Sequence, residues 1–290
     1  MVTERIEKIR QNYVNNKPAI STERAWLWTE SHKQTEGLPV CIQRARAFYD
    51  CCDKLTVHIF EGELIVGAVG EHRKCGILTP EFSWLWVDKE MDTFSDRPQD
   101  PYEMTDEQRK FMREQVFPYW KNKSLEEAFL ARVPEDTKHV GVDTGVLDND
   151  SKWRQAVGEI TPDYQDVLFK KGFGGLIREA EEHIAQLDMT NPEDEDKRDF
   201  YESTLWTSRG IIRYANRYAD AAEEMAKTES DPVRAEELRV IAKNCRRVPE
   251  NPPESFYEAL QFIWFVQIGG ILSENPLSLN PGRFDQYMYP

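Results

Sequence analysis

The sequence predicts a mostly α-helical segment with a few short strands. Three observations carry this expectation. An apolar stripe at helical period runs from just after Pro192 to Glu229, through Phe200, Leu205, Ile211, Ala215, Tyr218, Ala222 and Met225. Phe256 to Leu272 is almost wholly apolar, broken by Glu258, Gln261 and Gln267, and reads as a helix buried on every side. Alternating stretches, the signal of strands, are scarce: Leu55 to Ile59 and Leu64 to Val66 are the best candidates.

The remaining elements come in chain order. Val2 to Asn15 reads as a polar leading helix. Ser21 is placed as the cap of a helix reaching His32, with an acid in its first turn. Pro39 to Cys52 sets Ile42, Ala45 and Phe48 on one face. Thr79 to Trp86 mixes proline, phenylalanine and two tryptophans, and an acidic loop follows through Asp100-Pro101. Asp106 to Phe117 is helical up to Pro118, and Ser124 to Ala131 forms a short helix. Pro134 to Pro162 shows little periodicity. Long irregular stretches inside a packed protein are often functional, so pocket residues are sought there. Gly174-Gly175 precedes an amphipathic helix carrying Leu176, Ile177, Ala180, Ile184 and Leu187. Asp231-Pro232 breaks the long helix, Val233 to Cys245 resumes it, and Pro249 to Pro253 breaks it again. No internal repeat or domain boundary is visible.

Composition narrows the function. The formal net charge is −15, which repels nucleic acid and anionic membranes and sets both aside as partners. No run approaches membrane-spanning length, and the charged start Met1-Val-Thr-Glu-Arg does not read as a signal peptide. The five cysteines are odd in number and include no Cys-x-x-Cys pair, which fits a reducing cytoplasm rather than a disulfide framework or zinc site. Phosphate-binding glycine loops, zinc-protease motifs and serine-nucleophile motifs are missing. The five histidines are scattered and read as surface or structural residues, with no metal assigned. Cys51-Cys52 are neighbours whose side chains diverge on a helix, so they pack rather than react. Trp26, Trp28, Trp84 and Trp86 read as core.

The end of the sequence, "SLNPGRFDQYMYP", is the most distinctive stretch. Asn280-Pro281-Gly282 is turn chemistry, and Phe284, Tyr287, Met288 and Tyr289 crowd behind it. Termini are usually polar and frayed, so these side chains are expected to be covered by further chain, making residues 1–290 the front piece of a larger protein. The isolated piece is expected to need help to stay soluble, or to self-associate.

This stretch resembles a signature of the glycyl radical enzymes related to pyruvate formate-lyase, in the branch of diol dehydratases and of choline, isethionate and hydroxyproline lyases. "ISTERAWLWTES", "FEGELIVGAVGE", "VGEITPDYQDVLFKKGFGGL" and "NCRRVPENPPESFYEALQFIWFVQ" support the resemblance in the expected order. It covers essentially all 290 residues, and only the front part of a far longer family enzyme. The resemblance implies a ten-stranded α/β barrel surrounded by helices, with 1–290 as the N-terminal part of a pyruvate formate-lyase domain. It implies homodimerisation, a small-molecule substrate, and a glycyl radical installed by a separate radical S-adenosylmethionine activase. The reaction implied is cleavage of a C–C, C–O, C–N or C–S bond by thiyl hydrogen abstraction, of dehydratase or lyase type. The loops bearing the radical glycine and the mid-chain cysteine have no match here, so no catalytic residue is assigned and the piece alone is expected to be inactive. Two alternatives stand: a formate C-acetyltransferase proper, or a non-catalytic helical scaffold if the chain truly stops at Pro290.

The resemblance also suggests pocket residues. Diol dehydratases carry a substrate-facing polar residue, often histidine, where Glu159 stands, and a His-Ser pair where Leu277-Ser278 stands. Glu159 and Leu277 therefore argue against glycerol as substrate. A carboxylate at 159 can accept a hydroxyl hydrogen bond, move a proton or face a cationic amine. It also reads as a solvated loop acid capping Thr161 or nearby amides, and Ser278 as a turn hydroxyl bonded to local backbone. Arg154 offers a fork of donors for a carboxylate or sulfonate, or an ordinary surface ion pair. Asp143 is a further candidate. Arg283 and Asp285 are expected to form a buried structural pair.

Overall fold

The computed structural model describes residues 3–144, 159–276 and 278–289. Among them the chain makes α1 (Glu4–Asn15), β1 (Ala19–Ser21), α2 (Glu23–Gln34), α3 (Val40–Lys54), β2 (Cys75–Ile77) and α4 (Pro80–Glu90). Then come α5 (Asp106–Phe111), α6 (Phe117–Trp120), α7 (Leu125–Leu130), α8 (Glu135–Thr137) and β3 (Glu159–Ile160). The rest is α9 (Phe169–Ile184), α10 (Pro192–Thr228), α11 (Pro232–Arg247), α12 (Phe256–Glu274), β4 (Ser278–Leu279) and α13 (Phe284–Tyr287). A 3₁₀ turn succeeds α4, and π-helical turns succeed α5 and α8 and precede α9.

The long helices start where local chemistry dictates. Asn191 and Asp231 cap α10 and α11 by accepting the amides of Glu193 and Val233, and each helix has proline in its first turn, where a missing N–H costs nothing. Ser255 caps α12 by accepting from the Glu258 amide. α10 packs along α3, α11 and α9, and α2 lies on α3. The main core joins Trp28, Phe48 and Cys51 to Tyr214, Tyr218, Leu238 and Phe265. Trp26, Trp84 and Trp86 pack partly buried against it, and Cys52 lies within it beside Cys51. A second, smaller core unites Tyr164, Leu168, Val248, Phe262 and Ile263, with Tyr287 and Met288 against it.

Several expectations are corrected. The segments Leu55 to Ile59 and Leu64 to Val66 form no strand. Their neighbourhood is held by side chains instead: Gln261 accepts from the Val66 amide at 2.9 Å and donates to its carbonyl at 2.7 Å. Tyr214 and Tyr218 hydroxyls accept from the Ala68 amide at 3.0 and 2.9 Å, and Trp264 donates to the Gly67 carbonyl at 3.0 Å. Side chains thus satisfy the groups a ladder partner would have met. The strands are short parallel pairs, β1 with β2 and β3 with β4. Ser21 belongs to β1 rather than capping α2, although its hydroxyl accepts from the Glu23 amide at 3.3 Å.

Thr79 to Trp86 turns out to contain the start of α4, with Pro80 in the first turn. The Asp106 helix does not stop at Pro118, which sits in the first turn of α6. Gly174 and Gly175 lie inside α9 rather than before it. Phe200, on the expected stripe of α10, is 63% exposed, and Phe256 and Trp264 leave α12 exposed on part of its surface. Arg283 and Asp285 are both exposed, and no ion pair joins them among the described residues. Of the terminal aromatic group, Tyr287 and Met288 are half-buried against the second core, while Tyr289 is 89% exposed. No helix among the described residues is long and apolar enough to cross a membrane.

Candidate functional site

Two residues singled out from the sequence meet in the fold. Glu159 in β3 pairs directly with Ser278 in β4, and Ile160 with Leu279, in a parallel ladder. Paired residues share a face of a ladder and successive residues alternate. Glu159 and Ser278 therefore stand on one face, Ile160 and Leu279 on the other. Glu159 is exposed and Ser278 half-buried. The amide of Asn280 extends the pairing by donating to the Ile160 carbonyl at 2.8 Å.

Local sequence explains the placement. α12 ends at Asn275, in the left-handed region with φ 43°, and its amide donates to the Ile271 carbonyl at 2.9 Å. Asparagine tolerates that conformation better than most residues. A side chain at Gly270 would overlap Leu279, so the glycine leaves the room in which β4 seats on α12. The apolar face of the ladder thus turns to α12, and the Glu159–Ser278 face turns away from it. Gly282, with φ 69°, closes the turn beside Thr161.

Past the ladder both strands lead into one aromatic group. After β3, Asp163 accepts from the Asp166 amide at 2.8 Å and starts the turn carrying Tyr164. The Tyr164 hydroxyl accepts from Gln267 of α12 at 3.4 Å, and burial pushes this phenol well above its ordinary pKa. Its ring lies 5.4 Å from that of Tyr287, which comes after β4, and Phe169 lies 5.5 Å from Tyr287 and from Phe262. Both strands thus run on into one apolar wall made by Tyr164, Phe169, Phe262 and Tyr287.

Asp143 does not join them through any described contact. It is exposed, its amide donates to the Lys138 carbonyl, and its carboxylate lies 3.8 Å from His139. Arg154 and Leu277 lie outside the described residues. A cleft of about 640 Å³ opens between Phe169, Lys170, Phe256 and Tyr287, without Glu159 or Ser278. Its charged groups are engaged elsewhere: Lys170 with Asp166 at 2.6 Å, and Glu254 with Arg247 at 2.5 Å. The ladder, not this cleft, brings together two polar side chains that have no partner among the described residues.

The sequence reading did not assign roles to the polar side chains that hold α12 to its surroundings. Gln261 and Gln267 were visible as breaks in an apolar helix. Arg24, one helical turn before Trp28 in "TERAWLW", is fully buried and paired with Glu81 at 2.7 Å. A cation on the apolar side of a helix was the available signal.

The comparisons with known proteins agree with this architecture. The family described as pyruvate formate lyase-like matches residues 2–290. Isethionate sulfite-lyase of Oleidesulfovibrio alaskensis is 35% identical over 296 residues, spanning 99% of this chain and 36% of that protein. The glycerol-bound, B12-independent glycerol dehydratase of Clostridium butyricum superposes with a TM-score of 0.92 at 35% identity, covering 99% of this chain and 36% of that one. A glycyl radical enzyme from Archaeoglobus fulgidus does so with a TM-score of 0.88 at 33% identity, again over 99% of this chain and 36% of the other. The chain spans about a third of the length of these relatives. Its helices and short parallel ladders are part of the ten-stranded α/β barrel of glycyl radical enzymes. The chain belongs to the pyruvate formate lyase-like family of glycyl radical enzymes, on its dehydratase and lyase branch.

Proposed function

We propose that the whole protein is a glycyl radical dehydratase or lyase that cleaves a C–O, C–S, C–N or C–C bond of a small polar metabolite. Residues 1–290 are then the N-terminal part of its catalytic domain, ahead of the cysteine and glycine radical loops. The radical, installed by a radical S-adenosylmethionine activase, supplies hydrogen abstraction from the substrate. The enzyme works as a cytoplasmic homodimer. The five cysteines of this chain offer no rival for the abstracting residue: Cys51, Cys52 and Cys245 are buried, and none lies in the β3–β4 ladder.

The observation that carries the reading is the pairing of Glu159 with Ser278. In this reading the pair forms one wall of the substrate pocket. Glu159 accepts a hydrogen bond from a substrate hydroxyl, or faces an amine, and can take up or return the proton that travels with a leaving group. Ser278 donates to or accepts from the neighbouring substituent, fixing which carbon is presented. Arg154 is proposed to hold an anionic substituent such as a sulfonate or carboxylate, with Asp143 a further pocket acid. An acid at 159 and leucine at 277 disfavour glycerol itself.

The test is anaerobic activation of the full-length protein with its activase, and then a screen of small hydroxylated, sulfonated and aminated metabolites. A substrate should be consumed, and Glu159→Gln should lower kcat/KM about 100-fold at unchanged radical content in the electron paramagnetic resonance spectrum. Turnover of pyruvate with coenzyme A would instead make the protein a formate C-acetyltransferase. Failure to form any radical would leave the helical scaffold reading.

A further inference from the structure

Arg24 is wholly enclosed, and its guanidinium touches two segments outside its own helix. It donates to both Glu81 carboxylate oxygens at 2.7 and 3.3 Å, to the Leu78 carbonyl at 3.3 Å, and to the carbonyls of Leu272 at 2.7 Å and Ser273 at 3.3 Å. It also lies 4.1 Å over the Trp28 ring. Buried ion pairs are poor stabilisers, because desolvating both charges offsets most of their attraction. What this pair does supply is fixed geometry. Two of its bonds go to the last turn of α12, where carbonyls lack partners and the helix dipole favours a cation. From α3, Arg44 grips the same turn, 2.7 Å from Glu274 and 3.5 Å from the Ser273 carbonyl.

The Glu159–Ser278 site lies directly beyond that turn. After Asn275 the chain enters β4 within a few residues. Among the described residues, β4 is located by its two-residue ladder with β3, by the Asn280 amide on the Ile160 carbonyl, and by Leu279 seated over Gly270 of α12 itself. The end of α12 therefore sets where Ser278 stands.

We infer that Arg24, oriented by Glu81, is a positioning residue whose hold on the Leu272 and Ser273 carbonyls places Ser278 opposite Glu159. The inference rests on the proposed reading of Glu159 and Ser278 as the substrate-facing pair. Lysine at 24 would keep the charge but lose the planar fork that reaches Glu81 and both carbonyls together.

The experiment uses the full-length activated protein and Arg24→Lys. Hydrogen exchange of residues 276–281, read by mass spectrometry, should quicken about tenfold while peptides of α10 stay protected. kcat/KM on the substrate found in the screen should fall about tenfold at unchanged radical content, since small misplacements near reacting groups are costly. In a Ser278→Ala background the same change should cost less than about twofold, because the residue it positions is gone. Should Arg24→Lys fail to fold, Arg44→Gln loosens the same helical turn from a half-exposed position and should act in the same direction. Unchanged exchange at 276–281 overturns the inference whatever the turnover. So does an equal loss of kcat/KM in both backgrounds. Full activity of Ser278→Ala overturns the pocket reading and the catalytic half of the inference, leaving exchange to decide the structural half.

Discussion

The backbone at Gly172 lies against the carbonyl of Glu250 so closely that a Cβ at this position would overlap the oxygen. The approach is cemented next door: the amides of Phe173 and Gly174 donate to the carbonyls of Pro249 and Glu250 at 2.9 and 2.8 Å. Gly172 also has φ 60° and ψ 176°, a combination open essentially to glycine alone. This junction docks the start of α9, and the turn bearing Tyr164 before it, onto the loop leading into α12. Gly172→Ala is expected to cost about 3 kcal/mol or more in urea unfolding, from dihedral strain and overlap together. Gly37 is the control: it has φ 91° but open space around it, so Gly37→Ala should cost only about 1 kcal/mol. Equal losses at the two sites would remove the overlap from the account.

The side-chain scaffold around residues 66–68 gives a second expectation. Gln261 is buried and meets both polar groups of Val66. Gln261→Leu preserves much of the shape but orphans a buried amide and carbonyl, at a cost of about 2–4 kcal/mol. Trp264→Phe removes one bond from a partly exposed residue and should cost about 1 kcal/mol. Chemical denaturation of the two variants checks the order, and a reversed order would refute it.

The same segment shows what the sequence could and could not tell. α10 and α11 were legible because apolar period, capping asparagine or aspartate, and first-turn proline all agree at their starts. Leu64 to Val66 misled because β-branched and apolar residues also suit a chain pinned by glutamine, tyrosine and tryptophan side chains from distant helices. α4 was obscured by Pro80 and by Ser83, whose backbone is non-helical inside it. Glu159 and Ser278 were each nameable from motif resemblance. Their pairing was not, because a two-residue parallel ladder between distant segments leaves no local pattern. Arg24 stood out as a cation on the apolar side of its helix, but its pairing with Glu81 was not legible, because burial of an ion pair is decided by the helices around it.

Thiol chemistry should divide the cysteines sharply. Burial pushes Cys51 up to about 12, Cys75 to about 11, and Cys52 and Cys245 well above the ordinary thiol value. Cys41 is exposed. Thiolate, not thiol, is the reactive form. For residues 1–290, brief iodoacetamide treatment at pH 8 is expected to alkylate Cys41 first and Cys75 slowly, with the other three reacting only after denaturation. Peptide mapping reads this directly, and rapid native labelling of Cys51 would contradict the packing described for α2 and α3.

His32 should make stability sensitive to mild acid. Its ring stacks on Trp28, meets Trp120 edge-on, and bonds the Trp28 carbonyl through Nδ1 at 2.9 Å. Burial lowers its pKa below the usual 6.5, outweighing the bond to the Trp28 carbonyl and the nearby Glu81 carboxylate, which both favour the protonated ring, while Arg44 and Arg24 push the same way as burial. The folded state therefore resists a proton that the unfolded chain accepts. The neutral ring carries no penalty above pH 6.5, and stability is lost as pH falls from there through the lower folded pKa. His32→Phe keeps a ring between the tryptophans without a titrating group. Melting curves between pH 7.5 and 5.5 should fall more steeply for the parent than for the variant, and parallel slopes would rule the mechanism out.

The buried pair of Arg24 and Glu81 should behave asymmetrically under substitution. Glu81→Leu strands a fully enclosed guanidinium, which still has the carbonyls of Leu78, Leu272 and Ser273 to bond but no counter-charge. Arg24→Met strands a carboxylate that is almost as buried and also releases those carbonyls. Each single change is expected to cost about 3–5 kcal/mol. The double variant should cost clearly less than the sum, since no charge is then left unpaired. It should nonetheless stay below the parent, because methionine and leucine cannot cap the last turn of α12. A double-mutant cycle by urea unfolding measures this coupling, with about 2 kcal/mol or more expected. Additive losses would mean that the two charges are held independently, and that Glu81 does not orient the guanidinium on which Ser278 depends.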